Sequence, residues 1–523
     1  MTQAHEPWRP SANLWAIAMA VMLPSIMEVL DTTMANVALP QMAGSLAASQ
    51  DESTWVLTSY LVSNAIVLPM TDWLSARIGR KRFLMICVVF FTLASAWCGA
   101  ATSMPMLILA RVIQGAAGGG LIPLSQAILM ESAPPEKRGM AMAVFGLGVM
   151  AAPVVGPALG GWITYNYSWR WMFLINVPVG MVALFLCQVT LEDPPYLKAA
   201  KKRGGAVDII GFCLMALWLA TLQVVLDKGQ EADWFETPWI AWFSAVSVVS
   251  MLGFIIRELT AEHPIVNLRV FKNVNFAVGT GLMAMLGVLL YATVTLQPLF
   301  LQQLLGYTSL DSGMALSPRG IGAMISMILA GKLVEKTDGR VLIGLGFAVL
   351  GIASLLCGVI NLEISQSSIV WPNVLMGLSL GFLFVPLSTV ALGALPQQDI
   401  GNASGIFNLM RNLGGSIGIS LVTTLLARGT QTHQNLLAGN MSRFNPRFME
   451  YYQAVAGRLS QSFDPVSAKR MAMGILQGML GQQANLLAYV DNFRLLGVVS
   501  LACVAAVLLL RRQKTVPGSI SIH

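Results

Sequence analysis

Glu28 and Asp31 stand three residues apart in an otherwise apolar stretch, so on a helix they share one face, beside Pro24, whose missing N–H loosens the local ladder. Two carboxylates that close resist ionising together, and a neighbouring guanidinium restores the charged form. Arg111, inside the apolar stretch Leu107 to Gly120, is the candidate guanidinium. Such a set can load and release protons. The structural alternative is a buried Asp31–Arg111 ion pair that only holds two helices in register, and for Glu28 the functional and structural readings weigh evenly. Two further cations invite blander readings. Arg411, between Asn408 and Asn412, sits near a helix start and is expected in the headgroup region, and Arg319, in Ser317-Pro318-Arg319-Gly320, is expected to snorkel from an outer end.

Other chemistries find little support. The four histidines, His5, His263, His433 and His523, fall in termini or polar connections, and the six cysteines lie in apolar runs without a CxxC pair. HExxH does not occur and no His or Cys cluster stands at catalytic spacing, so no catalytic or metal-ligating set is expected, and any intramembrane proton chemistry must use carboxylates. A net charge of +7 spread over many short connections argues against nucleic acid as a partner.

The elements that must hold these groups follow from composition. With 523 residues, 55% hydrophobic and only 11% charged, the chain is too apolar for a soluble globular protein. Apolar runs fall at about 14–40, 53–73, 83–103, 106–131, 139–163, 169–191, 207–227, 238–258, 274–300, 313–335, 341–361, 368–393, 401–427 and 493–511. An all-α polytopic membrane protein of fourteen transmembrane helices is expected. Alternate connections and the tails hold twenty Lys and Arg, against only Arg170 and Lys228 in the short loops opposite, which places both termini in the cytoplasm. The N-terminus carries one arginine ahead of a long apolar run and reads as an anchor rather than a removable signal.

One outer connection, 428–492, is long, and within it Asp464-Pro465 opens a capped amphipathic helix running to Tyr489, which suits either a cover over the outer mouth or a docking surface. The basic stretches Asp72 to Lys81 and Gly331 to Arg340 resemble each other as short turns between apolar helices, eight runs apart. The Gly-rich fifth and thirteenth runs share that offset. Two pseudo-symmetric six-helix halves, 1–191 and 259–523, with a linker at 192–206 and two inserted helices at 207–258, account for it. In the fifth run Gly148, Ala152, Gly156 and Gly160 form a small-residue stripe, bent by Pro153 and Pro157, along which backbones approach closely.

Several of these stretches resemble the signatures of one family. Leu30-Asp31-Thr32-Thr33-Met34-Ala35-Asn36-Val37-Ala38-Leu39-Pro40 looks like the first-helix signature of the fourteen-spanner drug:proton antiporters of the major facilitator superfamily. Arg111-Val112-Ile113-Gln114-Gly115 resembles its fourth-helix arginine motif, and Gly156-Pro157-Ala158-Leu159-Gly160-Gly161 its antiporter motif. Trp169 through Gly180 resembles the sixth-span signature, and the long loop before the last helix is similar to that of EmrB-type pumps of Gram-negative inner membranes.

The resemblance implies that Asp31 carries the coupled proton, that Arg111 assists its exchange, and that Gly156, Pro157, Gly160 and Gly161 pack at the point that moves in alternating access. Asp72, Arg77, Gly79 and Arg80 match the loop motif, but this chain has Asp72 where the family begins with Gly, and Ala76 where it has Asp. The gating contact of that later Asp is therefore open in the first half, and Glu335 is its counterpart in the second. A periplasmic adaptor and an outer-membrane channel are implied as partners by the same analogy.

A proton-driven exporter of lipophilic compounds in the inner membrane, using the proton gradient and no cofactor, is thus expected. A symporter or an exporter of one metabolite in the same fold is the nearest alternative, and a membrane enzyme the remotest. A polyspecific cavity should be apolar and adaptable, which 30 methionines favour. Asn36, Trp55, Tyr60, Asn64, Gln114, Tyr291, Gln297 and Arg411 are the candidates for its wall, beside membrane lipid as the surrounding solvent.

Overall fold

The computed structural model describes residues 10, 12–193, 208–261, 264–334, 336–396, 399–442 and 444–511. Most of the linker, Glu335 and both tails lie outside these residues, and of Pro157 only the backbone is described. Helices dominate, with no strand among the described residues.

The first group comprises α1 (Leu14–Ser45), α2 (Gln50–Val67), α3 (Thr71–Ile78), α4 (Arg80–Gly99), α5 (Met104–Gly118), α6 (Leu121–Ser132), α7 (Arg138–Asn166), α8 (Arg170–Leu174) and α9 (Asn176–Thr190). Next come α10 (Ile209–Lys228) and α11 (Pro238–Thr260). The rest are α12 (Val274–Leu299), α13 (Ser309–Leu316), α14 (Pro318–Leu333), α15 (Gly339–Cys357), α16 (Gln366–Gly393), α17 (Ile400–Ala438), α18 (Pro446–Leu459) and α19 (Pro465–Ala506).

Among the described residues, twelve segments are long and apolar enough to cross a bilayer. The helices over the runs at 53–73 and 139–163 are not among them. The first is interrupted at Leu68–Met70 around Pro69, and the second is one helix of 29 residues, Arg138–Asn166, some of whose side chains lie outside the description. Helix starts follow local chemistry: Asn13 accepts from the Trp15 N–H, Ser49 and Glu52 form a reciprocal capping box, and Asn273 accepts from Asn275 and Phe276.

Pairings recur at the offset read from the sequence. α1 packs on α7 as α12 packs on α17, α2 on α5 as α14 on α16, and α4 on α9 as α15 on α19. Helix α10 lies against α11, α2 and α17.

Two expectations are corrected. The basic stretch from Asp72 is helical, and the turn is Gly79 alone, at φ +102°, where a Cβ would also press into the Asp193 carboxylate. The region 428–492 is no loop. α17 continues through 39 residues and α19 through 42, each about 60 Å at 1.5 Å per residue, twice the ~30 Å hydrocarbon thickness. Asp464 caps α19 as expected, accepting from the Val466 and Ser467 N–H groups, but no Gly or Pro interrupts the chain between Tyr489 and Arg494, so the amphipathic helix and the last span are one rod. The extended ends lie side by side through Thr430–Asn485 and His433–Asp491 contacts.

Candidate functional site

Asp31 lies in α1 beyond Pro24 and is 1% exposed. Its carboxylate accepts from Arg111 Nη1 at 2.5 Å, Gln114 Nε2 at 2.9 Å and Asn176 Nδ2 at 2.7 Å. Asn176 also donates to Ser95 Oγ at 2.9 Å, and Ser95 donates to the Phe173 carbonyl. Arg111 is held on its other sides by the Val56 carbonyl at 3.1 Å, by Gln114 Oε1 at 2.8 Å, and by the Tyr60 ring 4.2 Å from its guanidinium carbon. One buried carboxylate thus gathers side chains from α1, α4, α5 and α9, and the guanidinium adds α2. Each partner donates to the carboxylate, accepts from the guanidinium or stacks on it, which offsets the cost of taking the pair out of water.

Glycines bring these helices close enough. A Cβ on Gly115 would collide with the Tyr60 carbonyl, and one on Gly118 would meet the Tyr60 hydroxyl at 2.6 Å, so α5 presses directly on α2 one turn from Arg111. The fifth-run stripe does the same for α1 and α7: a Cβ on Gly156 would strike Thr33, one on Gly160 would meet Met34 at 3.0 Å, one on Gly148 would strike Met22, and one on Gly161 would meet Val37 only at 3.9 Å. Of these contacts, those of Thr33 and Met34 lie within one helical turn of Asp31.

Glu28 faces elsewhere. One turn before Asp31, it accepts from Asn64 Nδ2 at 2.9 Å and lies within electrostatic reach of Arg411 on α17. Arg411 is 3% exposed, and its only hydrogen bond among the described residues, from Nη2 to Asn412, is 3.4 Å long. Burial between α17 and its neighbours, not position along the helix, decides its place, so the headgroup expectation fails. Arg319 likewise does not snorkel. It is 7% exposed, with Nη2 3.1 Å from Thr293 Oγ1 and 2.7 Å from Met376 Sδ, because α14 and α16 touch backbone to backbone at Arg319 and Gly377.

The candidate wall residues scatter. Tyr60 and Gln114 belong to the Asp31–Arg111 network and Asn64 to Glu28, while Trp55 stands 5.8 Å from Lys228 Nζ. Tyr291 packs under Gly415 of α17, Gln297 is buried beside Cys357 and Met376, and Asn36 is exposed.

At the end of the molecule carrying Arg80, the two helix groups meet. Ser404 donates to Gln126 Oε1 at 3.0 Å and to the Pro123 carbonyl, and Asn408 donates to Gln126 at 2.6 Å. A Cβ on Gly401 would strike Asp72, and one on Gly331 would meet Ala143 at 2.6 Å. Arg80 pairs with Glu131 and lies 3.6 Å from Asp72, which in turn accepts from the Asn402 backbone at the start of α17. Arg77 stacks on Trp73 at 4.2 Å. Asp72, one helical turn before Ala76, thus reaches the helix start opposite. Glu131 went unread in the sequence, although it is an acid at the end of an apolar run. Ser95 and Asn176 were also missed, and only the position of Asn176 inside the sixth-run signature pointed to it.

The family model of the Major Facilitator Superfamily matches residues 21–419. The probable multidrug resistance protein EmrY of Escherichia coli (strain K12) is 36% identical over 88% of this chain and 91% of its own. Multidrug export protein EmrB of Haemophilus influenzae is 38% identical over 83% of this chain and 85% of its own. Among solved structures, the proton:xylose symporter XylE superposes with a TM-score of 0.57 at 17% identity, covering 83% of this chain and 96% of that one, a likeness of fold.

Proposed function

Because the chain belongs to the Major Facilitator Superfamily, we propose that it exports lipophilic drugs in exchange for protons, with Asp31 as the proton carrier. It is a transporter and not an enzyme, and a multi-pass membrane protein. The observation that carries the proton assignment is the Asp31 carboxylate, buried and met by three donors, Arg111, Gln114 and Asn176.

Ionised, Asp31 draws α4, α5 and α9 onto α1, and Arg111 ties α2 to the same point through Val56. Protonation removes the charge that Arg111 answers and loosens this tie. Thr33 and Met34, the next turn of α1, carry that change to Gly156 and Gly160 of α7. α7 reaches the second helix group through Gly146, where a Cβ would come within 3.0 Å of Met327 and Phe384, so the charge on Asp31 biases which end of the molecule is sealed. Glu28 and Arg411, on different helix groups and within electrostatic reach of each other, line the path of a charged substrate.

The two halves 1–191 and 259–523, the inner-membrane location and the cytoplasmic termini belong to the same reading, which puts the Arg80 end in the cytoplasm and the paired ends of α17 and α19 outside as the surface for a periplasmic adaptor. Proton movement in proteoliposomes tests the proposal. Adding a lipophilic drug should drive proton counterflow with the parent and none with Asp31→Asn, provided that variant still binds drug. Undiminished coupling in Asp31→Asn overturns the assignment, and proton movement in the same direction as drug makes the protein a symporter.

A further inference from the structure

The inserted helices α10 and α11 take no part in the Asp31 centre. α11 packs on α10 and turns much of its surface outward, with Trp242 71% exposed, so the pair meets the rest of the molecule mainly through α10 and the turn that follows it.

On one side, α10 is tied by charged groups to α2 of the first helix group. Asp227 accepts from Thr58, and Lys228, 6% exposed, donates to Thr54 and to Glu231 and stands over the Trp55 ring. On the other side, the hairpin meets α17 of the second group through neutral ones. Ser416 donates to Gln223 at 3.0 Å, and the Trp234 indole N–H lies 3.2 Å from both Thr424 Oγ1 and Gln230 Oε1. Trp234 reaches α17 from an uncommon turn: it and Asp233 are both left-handed, at φ +54° and +51°, a conformation that bulky side chains avoid. A Cβ added to Gly229 would meet the Trp234 ring at 2.8 Å, so the ring is folded over the end of α10. Backbone strain of this kind persists only where the surroundings impose it, and it collects at segments that switch.

Near the Arg80 end, α17 touches the first group directly, at Ser404 and Asn408. Further along, at Ser416 and Thr424, it touches the hairpin, and the hairpin touches α2. The three elements are therefore links in series. We propose that the inserted hairpin is a latch: it stays with α2, and its hold on α17 at Ser416 and Thr424 stabilises the state in which the Arg80 end is sealed. Charge-assisted hydrogen bonds are the stronger ones, so rocking of the groups parts the hairpin from α17 and not from α2. The proposal deepens the exporter reading and rests on it only for the existence of a second state, because the latch is measurable without drug or proton gradient.

The experiment measures a distance by electron spin resonance on the full chain in nanodiscs. Nitroxide labels at Lys137→Cys and Lys336→Cys, exposed on the two groups near the Arg80 end, report its opening, in a Cys213→Ser background because the other five cysteines are buried. Trp234→Ala should raise the ratio of long to short separations about fivefold, the weight of one hydrogen bond. Thr424→Val, which removes only the acceptor, should move it the same way. Thr58→Val, which loosens α10 from α2 without touching α17, should give a smaller rise alone and none on top of Trp234→Ala. Trp242→Ala, which alters an exposed aromatic of the same hairpin, should keep the parent ratio. A parent ratio in both Trp234→Ala and Thr424→Val overturns the proposal, as does full additivity of Thr58→Val with Trp234→Ala or an equal rise in Trp242→Ala. If Trp234→Ala does not fold, Thr424→Val decides alone. Drug-driven proton movement by the parent is scored separately: its absence beside the expected ratios removes the exporter reading and leaves the latch.

Discussion

Arg111 and Arg319 are both buried among transmembrane helices, yet Arg111 meets Asp31 at 2.5 Å while Arg319 meets only Thr293 and the Met376 sulfur. The helices that hold them correspond at the eight-run offset. α1, α2 and α5 surround the first centre, and α12, α14 and α16 the second. In the first group the guanidinium comes from α5 and the acid from α1. In the second the guanidinium comes from α14, where α2 offers Tyr60, and α12 offers Thr293 and Gln297 in place of an acid. One scaffold therefore presents a self-neutralised centre, suited to a mobile proton, and a centre whose guanidinium is met by a hydroxyl and a sulfur instead of an acid.

The largest expected difference is in stability. Asp31→Ala strands Arg111 and should cost about 3–5 kcal/mol, whereas Arg319→Met removes an unanswered charge and should leave thermal unfolding unchanged or raise it. Melting temperatures of the purified variants check this, and equal losses in the two would break the comparison. Met376→Glu supplies the second centre with its own anion. It should raise the melting temperature above that of the parent, and an unchanged or lower value would mean that the new carboxylate does not reach Arg319. Smallest is Ser95→Ala, which removes one of the two acceptors of the Asn176 amide and should cost about 1 kcal/mol while leaving proton coupling in place. Loss of coupling in that variant would show that the orientation of Asn176, and not only the ion pair, sets the proton affinity.

Much of the first centre was legible in advance. Charges are so rare in the apolar runs that Asp31 and Arg111 stand out by exclusion, and Gln114 and Tyr60 were noticed as polar positions, though for a cavity wall. Their actual place could not be read, because it depends on how α5 rests on α2, and that is set by Gly115 and Gly118 meeting Tyr60. Arg319 was misread for a related reason. Position near a helix end suggests snorkelling, but α16 crosses at Gly377 and closes over it. The extents of α17 and α19 were misread because hydropathy marks where a helix leaves the membrane and carries no information on where it stops.

By itself the sequence determined the membrane class, the helical runs, the distribution of positive charge and the identity of the first ion pair, since each follows from the cost of placing polar groups in hydrocarbon, a property of residues one at a time. Only the tertiary structure decided which side chains surround Asp31, that Asp72 takes the contact at the start of α17, and that Arg319 is left without an anion. Those outcomes depend on which helices touch and at what height, and glycine contacts between residues distant in the chain fix both.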